Sequence, residues 1–351
     1  FSKDELSKYV DGYLEEGHFS SKDTLKIFPV AKSVELFMLN KTDWEKFANA
    51  TGASTNDLNT IEGVTKVAEQ YYNWTDSLTA APNDGKAFFG RDAFANYMLV
   101  GYRQLATDIF SKKDNKIVLN FEADIAKKLW DNYYVPYISG YFSSSGKFRS
   151  DDIKIGNILA CVSSSSSVTY FPKEVILNDE ESHSIELETF ACPKFKDGKD
   201  YVVQQGAGMV VLKSEEKEQQ AAVEFLKWFT SDKQNIAFSN ASGYLPVTKS
   251  ANDKITDEVE GNESVKKTLN TSLKMISDNN MYTSVPFEKG TDARNVLETT
   301  MSNLAKQDRE TVITNLSNGM NLEQAISQFN NDTYFNQWYT NTKSQLESLI
   351  K

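Results

Sequence analysis

The chain has 351 residues, with 38 Lys and Arg against 49 Asp and Glu, giving a formal charge of −11. That acidic balance argues against a nucleic-acid binder, which needs a basic face for phosphates. Hydrophobic residues make up 40% and no run of about 18 uncharged apolar residues occurs, which excludes a membrane-spanning, collagenous or largely disordered chain and leaves a globular protein large enough for two lobes.

Cys161 and Cys192, with His18 and His183 far apart, are too few for a conventional zinc site. No metal or cofactor is expected, and two free thiols are favoured over a bridge.

The opening Ser2-Lys3-Asp4-Glu5 has capping-box spacing and predicts a helix over Lys3–Glu16, followed by a polar turn at Gly17–Asp23. In the apolar stretch Thr24–Ala31, Pro29 lacks an N–H and biases Phe28 towards extended geometry, which excludes a helix. Val34–Asn40 reads as a strand, and Thr42-Asp43-Trp44-Glu45 as a second capping box opening a helix that ends near Gly52. Helical periodicity recurs at Ile61–Trp74, Ala93–Phe110 and Phe121–Tyr134. Ile155–Val162 reads as a short buried strand running into the serines Ser163–Ser167. Ile185–Ala191 and Tyr201–Leu212 read as strands separated by a turn. Ser214 is expected to cap a helix carrying Ala221, Ala222, Phe225, Leu226 and Phe229 on its apolar stripe, and Ser231 to start another that stops at Gly243. From Ser264 onward nearly everything reads as helix. Strands alternating with helices, then a helical tail, give an α/β class.

Catalytic signatures are missing: no Gly-x-Ser-x-Gly, no His-Glu-x-x-His, no phosphate loop, and only a lone Gly-x-Gly at Gly206–Gly208. A carboxylate pair could still hydrolyse a glycoside, although no spacing singles one out. What remains are polar segments at the ends of apolar strands, where open α/β sheets bind ligands. The serine run offers hydroxyls and N–H groups, and is read as an ordered loop more than as a linker. In Phe89-Gly90-Arg91-Asp92-Ala93-Phe94, Asp92 either caps the next helix or meets a ligand, while Arg91 and Phe94 suit a sugar's hydroxyls and ring face.

Ile27-Phe28-Pro29-Val30-Ala31-Lys32-Ser33-Val34-Glu35-Leu36-Phe37-Met38-Leu39-Asn40-Lys41 resembles the hinge crossing of the extracellular solute-binding proteins of ABC importers, in the sugar-binding group related to maltose-binding protein. Ile153–Ser167, the return crossing at Ala191–Leu212, and the helix with Ser-Gly-Tyr-Leu-Pro-Val over Gln219–Val247 follow in the order of that pattern. The resemblance implies a periplasmic-binding-protein type II-like two-lobed fold with a helical C-terminal segment. Residues 1–28 and 203–280 would be the remnant of lobe one, 29–202 lobe two, and 281–351 C-terminal helices packed on lobe two and the hinge. Lobe one would be incomplete at its N-terminal side, leaving a sheet edge at Gln204–Leu212 unpaired.

The function so implied is capture of a mono- or oligosaccharide between lobes by a bacterial, extracellular or periplasmic monomer. Such a protein would deliver its sugar to the permease subunits of an ABC importer and meet the membrane only through a lipid anchor outside this chain. It would be no enzyme and would have no nucleic-acid partner. A carbohydrate-active enzyme using two carboxylates, or a truncated interaction protein that has lost binding, are the alternatives. By segment, the implied ligand contacts are Ser33, Glu35, Arg91, Asp92, Phe94, Ser165, Ser166, Gln204, Gln205 and Tyr244, with Asp292 and Arg294 on a later helix. Gln204 and Gln205 alternate across a strand, so at most one of them should face the ligand. Lys32, Arg91 and Arg294 also raise an anionic ligand, such as a uronate or phosphorylated polyol.

Overall fold

Ser2 caps the first helix as its spacing predicts: its hydroxyl accepts the N–H of Glu5, and the Glu5 carboxylate accepts the N–H of Ser2. That helix stops early. In the computed structural model, which describes residues 1–18, 24–259 and 262–350, the expected Lys3–Glu16 helix is two short ones, α1 (Lys3–Leu6) and α2 (Asp11–Glu15). Tertiary packing breaks it. Tyr9 is buried, forms a bridge to Thr248, and places its hydroxyl 2.6 Å from the Thr230 hydroxyl. Residues 19–23 of the expected polar turn lie outside the described residues.

Two fully buried strands follow, β1 (Phe28–Ser33) and β2 (Glu35–Asn40). Pro29 sits in β1 beside a register irregularity between Pro29 and Ala31, a position that tolerates its missing N–H. Asn40, and not Thr42, caps α3 (Lys41–Thr51) by accepting the Asp43 N–H, and Gly52 ends the helix with φ 74°. Next come α4 (Ile61–Asp76), β3 (Phe89–Arg91) and α5 (Phe94–Leu105). The expected helix to Phe110 gives way at Ala106, and the hairpin β4 (Phe110–Lys113) and β5 (Lys116–Leu119) begins instead. Helices α6 (Ala123–Asp131), α7 (Tyr134–Ile138) and α8 (Arg149–Lys154) lead to β6 (Ala160–Ser164), which starts later than expected because α8 ends in a turn through Gly156, whose φ is 70°. The serine run completes β6 and enters an ordered 3₁₀ turn, Ser165–Tyr170.

Short strands β7 (Glu174–Ile176), β8 (Ser182–Ser184), β9 (Leu187–Ala191), β10 (Tyr201–Val203) and β11 (Gln205–Met209) follow. Helix α9 (Glu216–Phe229) starts after Glu215 without a side-chain cap, so the expected Ser214 cap is not formed. The remainder is α10 (Asp232–Ser242), α11 (Lys249–Glu258), α12 (Glu263–Asp278), β12 (Asn280–Tyr282), α13 (Gly290–Ser317), α14 (Leu322–Ile326) and α15 (Asp332–Leu349). Both cysteines are free thiols; Cys161 is buried, and burial pushes its pKa up. Among the described residues no helix is long and apolar enough to cross a membrane.

The chain divides into two compact units. The first holds Phe1–Leu36, Ser164–Phe171 and Val202–Thr283; the second holds Phe37–Ser163, Pro172–Tyr201 and Ser284–Lys351. The serine turn therefore belongs to the first unit, although it falls within the 29–202 range expected for lobe two, and the last helices belong to the second. In the first unit β1 and β11 pair antiparallel from Phe28↔Met209 to Ser33↔Gln205, so the stretches after Ile27 and after Val203 run side by side. Its core gathers Tyr9, Tyr13, Phe28, Val30, Leu226 and Val247.

The second unit is built on a four-stranded sheet ordered β3-β6-β2-β9. β3 and β6 are parallel, with Arg91 opposite Val162. Asn40 donates its N–H to Leu159 O at one end, and Ser165 to Val34 O at the other, so β2 runs antiparallel to β6. Helices cover the sheet with an aromatic core that includes Phe37, Phe47, Phe88, Tyr102, Trp130 and Tyr134.

Helix α13 carries a buried carboxyl, Asp308, that accepts the hydroxyls of Tyr134 at 2.5 Å and Tyr334 at 2.8 Å. Burial raises the Asp308 pKa above its ordinary 3.8, outweighing the two hydroxyl donors, which lower it. Between the unfolded and the raised folded value the native state binds the extra proton, so this group's contribution is present at low pH and lost as pH rises through the folded pKa. Asp308→Asn should therefore flatten that part of the pH–stability curve, as measured by urea unfolding between pH 3 and 7. An unchanged slope in the variant would contradict the assignment.

Candidate functional site

Within each unit several of the residues expected from sequence gather at one end of its strands. In the first unit this end is where β1 finishes. Ser33 lies opposite Gln205, Lys32 exchanges backbone hydrogen bonds with Leu245, and Ser165 donates to Val34 O. Gly243 makes this packing attainable: its φ is +72°, and a Cβ there would stand 2.9 Å from Ser165 O and 3.2 Å from Ser166 Cα. The half-buried Tyr244 is thereby held beside the serine turn, its ring 6.0 Å from that of Phe238. Ser33, Glu35, Ser165, Ser166, Gln205 and Tyr244 thus come from separate stretches of chain to one end of the unit.

Three buried polar atoms here have no protein partner, Ser165 Oγ, Gln204 Oε1 and Gln205 Oε1. Buried polar groups are ordinarily satisfied by protein, water or ligand. Gln204 is engaged through its other amide atom. It is buried, and its Nε2 donates to Glu16 Oε2 at 2.8 Å, the same carboxylate that ion-pairs with Lys32. Gln204 and Lys32 therefore hold α2 against β1, and Lys32, whose charge already has a carboxylate, is withdrawn from the expected set of cationic ligand contacts.

In the second unit the polar end is formed by the C-terminal ends of β3 and β6. Asp92 does not cap α5. Its Oδ2 accepts the Ser163 hydroxyl at 2.7 Å and its Oδ1 accepts the Arg149 N–H at 3.2 Å, with Arg149 Nε 3.5 Å away. Arg149 also ion-pairs with Asp152 and donates to Gly146 O at 2.6 Å. Gly90 gives this network room: a Cβ there would meet Ser143 O at 2.4 Å and Arg149 Cδ at 2.9 Å.

The α5 cap comes from far along the chain. Ala93 has φ 47° and no capping side chain, and Glu298 of α13 accepts the Phe94 N–H at 2.9 Å and the Ala95 N–H at 2.6 Å. One turn earlier on α13, Arg294 Nη2 donates to Asn96 Oδ1 at 2.7 Å.

Phe94 is a core residue rather than a stacking face: it is buried, with its ring 4.4 Å from that of Tyr133. Arg91 is largely buried with its guanidinium 4.9 Å over the Tyr97 ring. Asp292 is exposed in the first turn of α13, 3.8 Å from Lys289. Glu298, Arg149, Ser163 and Asn96 are not among the residues expected from sequence. Only the Arg149–Asp152 pair has a local signal, its i,i+3 spacing; Glu298 reaches α5 across some two hundred positions of sequence.

A cavity of about 420 Å³ opens elsewhere in the second unit, lined by Tyr71, Trp74, Leu78, Leu177 and the hydrogen-bonded pair Asp43 and His183. None of the residues expected from sequence lines it. No group of three or more His, Cys, Asp or Glu that could hold a metal occurs among the described residues.

Residues 1–267 match the family described as bacterial extracellular solute-binding protein. No curated protein matches the sequence. Among solved structures, the chain is similar to UgpB from Mycobacterium tuberculosis in complex with glycerophosphocholine, with TM-score 0.68, 16% identity, and 98% of this chain and 75% of that one covered. It is also similar to the cyclic alpha-maltosyl-1,6-maltose binding protein of Arthrobacter globiformis, with TM-score 0.67, 16% identity, and 100% and 78% covered. The GacH receptor of Streptomyces glaucescens, solved unliganded and with acarbose, gives TM-score 0.63, 13% identity, and 98% and 75% covered. At such identities the likeness is one of fold.

Proposed function

Because the chain belongs to the bacterial extracellular solute-binding proteins, we propose that it is the non-enzymatic, carbohydrate-binding component of an ABC importer, working outside the membrane. The supporting observation is the pair of buried, unpartnered oxygens at the end of the first unit, Ser165 Oγ and Gln205 Oε1. They flank Ser33 and Val34, which is where a hydroxyl-rich ligand would be recognised. Within the second unit, Arg91, Arg294 and Asn96 are a separate set of polar side chains of the kind that reads hydroxyls. The ligand passes to the permease subunits unchanged, and the protein acts as a monomer.

A neutral sugar is the first reading: of the cations Lys32, Arg91 and Arg294 that raise an anionic ligand, Lys32 ion-pairs with Glu16, Arg294 donates to the Asn96 amide oxygen and Arg91 lies over the Tyr97 ring. A thermal-shift series over neutral mono- and oligosaccharides, uronates and glycerophosphodiesters tests this. A ligand at about 100 Kd adds about 2.7 kcal/mol to the native state. The expected result is a concentration-dependent rise with a neutral saccharide, and no product on prolonged incubation. Arg91→Ala should then weaken a neutral sugar and any uronate alike. A selective loss of the acid would favour the anionic ligand, and turnover of a glycoside would favour the two-carboxylate enzyme.

A further inference from the structure

The cavity of about 420 Å³ in the second unit is a built site that carbohydrate binding does not use. Ile158 and Leu159, just before β6, form part of its wall, whereas Arg91, Asp92 and Ser163 stand at the other end of β3 and β6. About 13 Å of strand separates Leu159 from Ser163. On α4, Tyr71, Trp74 and Thr75 stand at i, i+3 and i+4, so one helix face supplies the second wall. The hairpin of β7 and β8 supplies the third, with Val175 and His183 as cross-strand partners. Gly156 gives the hairpin room: its φ is +70°, and a Cβ there would stand 2.9 Å from Leu177 Cδ2 and 3.3 Å from Val175 Cγ1. His183 Nε2 fastens the hairpin to α3, 2.9 Å from both carboxylate oxygens of Asp43.

The lining has a definite chemistry. Tyr71 is only 8% exposed, yet its hydroxyl has no hydrogen-bond partner among the described residues. A tyrosine whose ring is buried ordinarily finds one. Burial, and then the nearby Asp43 carboxylate, push the Tyr71 pKa up, which keeps the hydroxyl neutral and able to donate or accept. The Trp74 ring lies 5.9 Å from that of Tyr71, inclined at 48°, and Leu78 and Leu177 form an apolar rim at 65% and 39% exposure. The ionic groups balance: Asp43 pairs with Lys46 at 2.7 Å and with His183, and Asp84 and Lys86 add one charge of each sign.

We propose that this cavity binds a second kind of small molecule, a neutral planar aromatic of two or three rings that carries a hydroxyl group. Its rings would pack against Tyr71, Trp74 and Leu177, and its hydroxyl would bond to that of Tyr71. Small-molecule sites are mostly apolar cavities of about 300–1,000 Å³ with a few placed polar groups, and aromatic pairs gain more than their buried area alone supplies. The inference stands whether or not a saccharide binds elsewhere in the chain.

Isothermal titration at pH 7 with 2-naphthol, which is neutral there, tests the proposal against the size-matched 2-naphthoate, 2-naphthylmethylamine and decahydro-2-naphthol. The expected result is saturable binding of 2-naphthol, about tenfold or more tighter than that of the anionic, cationic and saturated analogues. Tyr71→Phe removes the hydroxyl and keeps the ring, and should weaken 2-naphthol about tenfold while leaving Tm within about 1 °C. Leu177→Asp, on the exposed rim, should weaken it by about as much. Gln205→Ala, in the first unit, should leave it unchanged. The proposal is overturned if 2-naphthol fails to saturate at millimolar concentration, or if a charged or saturated analogue binds as tightly. It is equally overturned if either Tyr71→Phe or Leu177→Asp leaves the affinity unchanged, or if Gln205→Ala weakens it as much as Tyr71→Phe does.

Discussion

Asp152→Ala is expected to destabilise the second unit by about 3–5 kcal/mol, the range for removing one partner of a buried ion pair. Asp152 is fully buried and Arg149 nearly so. The substitution leaves the guanidinium facing Asp92 Oδ1 at 3.5 Å through Nε, and Gly146 N loses its 2.7 Å acceptor. Since Asp92 still offsets part of the charge, the loss should fall at the lower end of that range. Four of the five tryptophans, Trp44, Trp74, Trp130 and Trp338, lie in the second unit, so fluorescence-monitored urea unfolding reports mainly on it. Replacing both partners, Arg149→Met with Asp152→Leu, should recover part of the stability, because it removes the stranded guanidinium while leaving Gly146 N–H and O without these partners. A loss below about 1 kcal/mol in the single variant would mean that the pair adds little beyond surface charge.

Glu298→Ala should lower sugar affinity about tenfold, or ~1.4 kcal/mol, with a smaller loss of stability. One carboxylate satisfies two free N–H groups at the start of α5, at 2.9 and 2.6 Å, and no local side chain can replace it. Loss of a cap costs about 0.5–2 kcal/mol. The residue before the helix, Ala93, is held at φ 47°, a conformation unfavourable for a residue with a Cβ. Freed of its cap, the turn can relax and carry Arg91 and Asp92 away from the positions set by β3. Glu298→Gln keeps an acceptor oxygen and should fall between wild type and alanine. Isothermal titration with the saccharide identified by thermal shift reads the effect, and unchanged affinity in Glu298→Ala would show that the α5 turn is not part of recognition.

The local elements and their order are largely legible in the sequence, because they follow from periodicity, caps and the backbone limits of proline and glycine. The apolar run of β2 marks it as a strand, and Gly52 and Gly243 end helices where a left-handed residue is expected. The misses share a cause. Tyr9 breaks the first helix because its ring is buried and its hydroxyl meets Thr230, and Asp92 is engaged by Ser163 and Arg149. Glu298 holds the α5 cap, which is one of the two roles the sequence leaves open to Asp92. Each partner lies on another element, and periodicity carries no information about it. The family is legible from the order of several weak motifs, which together span the chain. The roles of single residues are less so: Phe94 and Gln204 match by segment, yet Phe94 packs against Tyr133 and Gln204 donates to Glu16.

The proposal that this chain binds a carbohydrate is tested most directly by one set of isothermal titrations. Wild type is compared with Gln205→Ala in the first unit and Arg294→Ala in the second, each first shown to unfold at the wild-type temperature. The predicted result is saturable binding of one neutral saccharide, weakened by about tenfold or more in each variant. Full wild-type affinity in both variants, or no saccharide binding at millimolar concentration, would contradict it.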